Sequence, residues 1–219
     1  MMYLYFYKYM VILAIDPSFK ALSFSLYDSV SKNVFIDTVS YPLGTSIGFE
    51  KIFDAVHVQW YQLKSKLDTY LSENNLSIDV VISEIPPPVG NFSAGLYALD
   101  YTILNNIFER YTTITDLYIL SPSFLTKVHG RRGYKKSEST ALVKYFIEDV
   151  LSDSFNVHIP DSVSPKGRVS KGRLNNDKAE SFIFLLRMIT KLDINGLASR
   201  VKSEVIGLSH EGEKLLRSR

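Results

Sequence analysis

The chain has 219 residues, 46% of them apolar and 22% charged, a balance that suits a folded globular domain and excludes a disordered or fibrous chain. Its net charge of +2 is too small to mark a polyanion partner, so the placement of the basic residues carries that question. The absence of cysteine excludes disulfides, thiolate metal sites and a cysteine nucleophile.

Residues 1–9 read as an N-terminal extension. Their apolar and aromatic run leads straight to Asp16 with no small-residue cleavage site of the signal-peptide kind. No segment approaches the roughly 20 apolar residues of a membrane span. A soluble, intracellular (cytoplasmic) protein is expected. One domain is expected over 10–192, followed by a charged, helical tail over 193–219.

Residues 11–15 are unbroken apolar and rich in β-branched side chains, which predicts a strand buried on both faces. Asp16 ends it, and Pro17, with no N–H to donate, stops the ladder. Residues 20–28 alternate small polar and apolar side chains, and 33–39 form a third strand after a turn cluster. From about 46 to 75 the apolar positions recur at helical spacing. Residues 78–85 form another buried strand ending in Glu84, and Pro86, Pro87 and Pro88 then forbid helix and ladder alike. A helix over 90–111, a strand over 117–120, a basic loop, a helix over 137–151, a polar segment over 152–175 and a helix over 176–192 follow. The later strands come after helical crossovers and should run parallel to the first. The expected fold is therefore α/β: a mixed five-stranded sheet, three strands antiparallel and two parallel, with helices on both faces.

The carboxylates converge in this scheme. Asp16 and Glu84 end neighbouring strands, at the edge where open α/β sheets build their sites. The bland alternatives are an Asp opening a turn and a Glu pointing to solvent. Asp177 and Glu180 lie three apart in the first turn of the last helix, hence on one face. The helix dipole favours acids there in any protein. Ile183 and Phe184, however, make that face core-facing, and buried acids need a partner. A divalent ion is the economical one. The four histidines (His57, His129, His158, His210) are scattered and form no ligand spacing.

These features together resemble the RuvC family of Holliday-junction resolvases within the RNase H-like nucleases: a strand ending Ile15-Asp16-Pro17, a later strand ending in Glu84, and a helix opening Asp177-x-x-Glu180 before a small residue and an apolar run. The resemblance covers residue 10 to about residue 190 and implies an RNase H-like nuclease domain over 10–192. It implies that Asp16, Glu84, Asp177 and Glu180 are the catalytic, metal-binding tetrad, that the cofactor is two Mg²⁺ ions with Mn²⁺ able to substitute, and that the protein is a homodimer acting on branched DNA. The chain departs from the family at Ser18, where Gly is usual, and at Glu180, where Asp is usual. It also has prolines where an aromatic normally follows the strand-ending Glu; Phe92 is the nearest base-stacking candidate. The 152–175 insert is longer than the usual connection.

Two basic clusters flank the acids: Lys127, His129, Arg131, Arg132, Tyr134, Lys135 and Lys136 in one loop, and Lys166, Arg168, Lys171 and Arg173 just before Asp177. Cations that hold phosphates beside acids that hold metal are the layout of a DNA nuclease, and Tyr134 offers a stacking face. The resemblance matches Lys136 to the family's lysine ahead of the helix. The expected activity is a Mg²⁺-dependent endodeoxyribonuclease that resolves four-way junctions. Competing readings are a nuclease of the same fold acting on flaps, Y-junctions or RNA–DNA hybrids, and a non-catalytic junction-binding protein. A sugar-kinase or actin-like ATPase would need a Gly-rich phosphate loop and a second such domain, and neither is visible.

Overall fold

A computed structural model describes residues 9–41, 49–84, 93–121, 123–130, 135–163, 169–204 and 214–217. The first strand, β1 (Val11–Asp16), is the middle of a sheet because its apolar run has two faces to fill. Ile12 and Ala14 enter one hydrophobic cluster, and Val11, Leu13 and Ile15 enter the other. Each such aliphatic side chain contributes about 1.5–3 kcal/mol on burial. An isolated hairpin could not offer two dry faces, so the run dictates a three-layer arrangement.

β1 pairs antiparallel with β2 (Ala21–Asp28), which pairs antiparallel with β3 (Asn33–Ser40). On its other side β1 pairs parallel with β4 (Val80–Glu84), and β4 parallel with β5 (Asp116–Leu120). These are the five strands expected, in the expected directions. The sheet is nevertheless seven-stranded, because each edge gains a strand. β6 (Asn156–His158) runs parallel beside β3. It comes from the polar insert, whose three-residue pairing is too short to leave a periodic signal. The insert also forms a small hairpin, β7 (Ser162–Val163) with β8 (Val169–Ser170). A Cβ at Gly172 would sit 1.8 Å from the Ile159 carbonyl oxygen, so only glycine lets the insert fold back this tightly. At the far edge β9 (Lys214–Arg217) pairs antiparallel with β5; the tail expected to be helical is so only at Ala198–Glu204 (α6) among its described residues, apart from the 3₁₀ turn Ile194–Gly196.

One face is covered by α1 (Phe49–Asn74) and α2 (Ser93–Arg110), the other by α3 (Phe124–Val128), α4 (Lys136–Tyr145, continued as a π-helical turn over Phe146–Val150) and α5 (Asn176–Leu192). No described helix is long and apolar enough to cross a membrane. α3 forms inside the stretch expected as loop; Phe124, Leu125 and Val128 anchor it in the core.

α5 is buried over nearly its whole circumference, because the sheet lies beneath it and α4 and α6 flank it. It comes close to the sheet because the side chains below it are small. Ser23 Oγ donates to the Asp177 carbonyl at 2.6 Å, and the Ser25 and Ser181 hydroxyls bond each other at 2.9 Å. Ser25→Leu should force α5 away from β2 and cost about 1–3 kcal/mol by overpacking. Ser25→Ala should cost about 1 kcal/mol or less, since Ser181 Oγ keeps its bond to the Lys178 carbonyl. Urea unfolding of the two variants reads the difference directly.

Candidate active site

The parallel register of β1 and β4 sets Ile15 opposite Ser83. The next residues, Asp16 and Glu84, therefore end their strands side by side, on strands about 5 Å apart. Glu180 arrives from above: α5 starts over β2, held there by the Ser23 bond and by Asn175, whose Oδ1 caps the helix by accepting from Lys178 N at 2.9 Å. A further tie, Thr140 Oγ1 to Asn176 Oδ1 at 2.7 Å, fixes the start of α5 against α4. The Glu180 side chain is 6% exposed, against 39% for Asp177.

Carboxylates gathered this way resist ionising. Burial, then the charges of Glu180 and Asp177, hold the Asp16 carboxyl well above its usual range, with Lys136 opposing. Glu84 is pushed up to about 9 by burial and by Asp16, Glu180 and Asp100. Glu180 is raised by burial and by Asp177, against the pull of Lys136. A proton on Asp16 would be stabilised by donating to the Glu180 carboxylate, which raises Asp16 and lowers Glu180. With both ionised, no donor among the described residues reaches the buried Glu180 Oε1. That oxygen needs a proton or a cation.

The cation within reach is Lys136, at the start of α4. Its Nζ lies 3.3 Å from Asp177 Oδ1 and 3.5 Å from Glu180 Oε2. Burial pushes its own pKa down, but Glu180 and Asp177 outweigh that and raise it. Among the described residues no group of three or more acidic, His or Cys side chains forms a ready-made metal cage; the ammonium lies against the two helix acids. The donor set still fits a hard divalent ion: carboxylate oxygens, no sulfur, and one buried oxygen without a donor.

The other sequence-derived candidates divide clearly. Lys127 is exposed on α3. His129 bonds the buried Ser139 hydroxyl at 2.9 Å, which ties α3 to α4. Lys135 is exposed and its backbone N–H is capped by Glu138 at 3.2 Å. Lys171 and Arg173 are exposed ahead of α5. Arg131, Arg132, Tyr134, Lys166, Arg168 and Phe92, with residues 1–8, lie outside the described residues. Two buried charges escaped the sequence reading. Asp100 on α2 is 5% exposed, accepts from Ser83 Oγ at 3.2 Å, and is raised to about 7 by burial. Lys178, between the two helix acids, reaches Asp37 Oδ1 on β3 at 3.4 Å. Only its place between Asp177 and Glu180 hinted that it would be drawn inward.

No protein-family model and no curated protein matches the chain. Among solved structures the chain is similar to RuvC of Thermus thermophilus, 13% identical over 84% of this chain and 98% of that one, with a TM-score of 0.45. It is similar also to the yeast mitochondrial Holliday junction resolvase (14% identical, 93% and 82% covered, TM-score 0.47) and to the human cytomegalovirus terminase nuclease domain (8% identical, 68% and 66% covered, TM-score 0.41). The observed sheet, three antiparallel strands continued by two parallel ones under helices on both faces, is the RNase H-like arrangement expected.

Raised carboxyls make a pH prediction for the metal-free protein. Between the ordinary carboxyl range and about 9, folded Glu84 holds a proton that the unfolded chain has released. Stability should therefore fall as pH rises through that window. Thermal melts in chelator at pH 5.5 and 8.5 should show the lower melting temperature at 8.5, and Glu84→Gln should flatten the difference. Added Mg²⁺ should raise the melting temperature more at pH 8.5 than at 5.5, because at low pH it competes with protons. Equal protection at both pH values would count against ion binding by these acids.

Proposed function

We propose that the protein is a Mg²⁺-dependent, structure-selective endodeoxyribonuclease that resolves four-way DNA junctions, working as a soluble intracellular homodimer. The observation that carries this reading is the meeting of half-buried Asp16 and Glu84 with buried Glu180 at one end of the sheet, where the Glu180 charge raises both strand-end carboxyls. Asp16, Glu84, Asp177 and Glu180 would hold two Mg²⁺ ions, or Mn²⁺ in their stead. When bound, the ions would supply an activated water and neutralise charge on the departing 3′ oxygen. Lys136 gives Asp177 and Glu180 a positive partner and belongs with Lys127 and Lys135 to a basic flank for the phosphates. The choice of a four-way junction as substrate comes from the sequence resemblance.

The homodimer reading is supported by α2. Tyr101 is 74% exposed, and with Tyr97, Leu104 and Phe108 it lines an apolar hollow against Leu117 and Ile119 of β5. An apolar face of this kind suits a partner.

Cleavage of synthetic four-way junctions, flaps and linear duplex in Mg²⁺ tests the proposal. Wild type should prefer junctions, and Asp16→Asn should lose on the order of 100-fold or more in rate. Glu180→Gln should abolish cleavage and keep junction binding. Equal rates for wild type and Asp16→Asn would sink the two-ion assignment, and a preference for flaps would replace the substrate.

For the dimer, Tyr101→Glu should give a monomer by light scattering and uncouple the two nicks of a junction. A monomeric wild type with undiminished paired nicking would defeat the dimer.

A further inference from the structure

The ladder that holds β1 stops at Asp16, because Pro17 has no N–H to give. The Ser18 hydroxyl closes the turn locally, donating to the Ala21 carbonyl at 2.7 Å and accepting from Ala21 N at 3.2 Å. The Ser18 and Phe19 carbonyls point to α1, where the side-chain NH₂ of Gln59 donates to them at 2.9 and 3.0 Å. Gln59 stands in a buried row at four-residue spacing, with Ala55 before it and Leu63, Leu67 and Leu71 after it. Its side chain is fully buried, and its Oε1 has no hydrogen-bond partner among the described residues. An unpaired buried oxygen costs stability, and a leucine or methionine would fill the row without it. The amide cannot turn over to relieve this, since its oxygen would then face two carbonyls. α2 closes on the same turn: a Cβ at Gly95 would lie 2.8 Å from Ile52 Cδ1 and 3.1 Å from Phe19 Cζ, so glycine lets the helix come down on the Phe19 ring.

We propose that Gln59 is a positioning residue for metal binding: it fixes the backbone just past Asp16, where the ladder has ended, so that the Asp16 carboxylate meets a divalent ion with its direction already set. This rests on the nuclease reading of the acidic site. Side chains alternate across a strand. Ile15 enters the cluster that α1 covers, and Ile12 and Ala14 enter the opposite one, so Asp16 faces away from α1. Gln59 therefore acts through the turn, from the face of the sheet opposite the acid's side chain. A residue that orients a metal ligand in this way commonly changes metal affinity or activity by about 10- to 100-fold. That role gives a physical reason for an amide, with one oxygen left unpaired, in a row that is otherwise apolar.

Binding of Mg²⁺ alone to the full chain is measured by calorimetry, and melting temperatures are taken in chelator. Gln59→Met keeps the length of the side chain and removes its donors and its unpaired oxygen. It should weaken Mg²⁺ binding about 10-fold or more and move the Mg²⁺ dependence of junction cleavage to about 10-fold higher concentration. The melting temperature should fall by only about 2–6 °C. Leu63→Met, a packing change one turn along the same row, should leave Mg²⁺ binding unchanged; equal weakening by the two variants makes the effect one of packing and overturns the proposal. Wild-type Mg²⁺ affinity in folded Gln59→Met, whatever its melting temperature, overturns the proposal and leaves the nuclease reading intact. If Gln59→Met does not fold, nuclear magnetic resonance of the wild type decides. The Gln59 NH₂ protons should exchange slowly and shift when Mg²⁺ is added, and an unshifted pair at saturating Mg²⁺ overturns the proposal. No Mg²⁺ binding by the folded wild type, with no cleavage of junctions, overturns both readings.

Discussion

Burying carboxylates next to one another is unfavourable twice over, through lost hydration and through mutual repulsion. At the ends of β1 and β4 both penalties fall on Asp16 and Glu84, and Glu180 adds a third charge from α5. A chain keeps such a cluster only if a proton or a cation is present to offset it. In the metal-free protein the Lys136 ammonium lies against Asp177 and Glu180, and the raised Asp16 carboxyl favours a proton beside Glu180. The site is thus charged with a need for positive partners, and the rest of the fold holds that need in place.

The holding is done by ordinary packing. β1 is fixed on both faces by apolar side chains and on both edges by strands. Its end cannot move without disturbing two core clusters. Ser23 and Ser25 keep β2 low enough for α5 to lie close, and the Ser23 hydroxyl is bonded to the carbonyl of Asp177 itself. Behind Glu84, the Ser83 hydroxyl ties β4 to Asp100 on α2. Each acid therefore stands on an element whose position is set by burial, which suits a site that must keep oxygen atoms at fixed separations.

Much of this was legible in the sequence, because the features concerned are strong and local. Apolar runs that stop at Asp16 and Glu84 announce strands and their ends together. The acids at Asp177 and Glu180 and the apolar run after them announce α5. What escaped was long-range or weak. β6 is three residues whose partner, β3, lies far back in the chain. Asp100 sits in a helix whose apolar positions gave no sign that one acid would face inward. Lys178 reads as a surface lysine until Asp37, on a strand about 140 residues earlier, is known to face it. His129 read as a candidate phosphate contact, but its ring is engaged with Ser139 on α4. None of these pairings has a spacing that periodicity could reveal.

The first turn of α5 is where the two electrostatic halves of the protein divide. Successive helical residues point about 100° apart, so Asp177 and Glu180 share one side and Lys178 takes another. The acids turn toward β1, β4 and Lys136; the lysine turns toward β3 and Asp37. Had Asp177, Lys178 and Glu180 all faced one way, Lys178 would compete with any metal for the same oxygens. By sending it to Asp37, a single turn of helix keeps those oxygens clear of it.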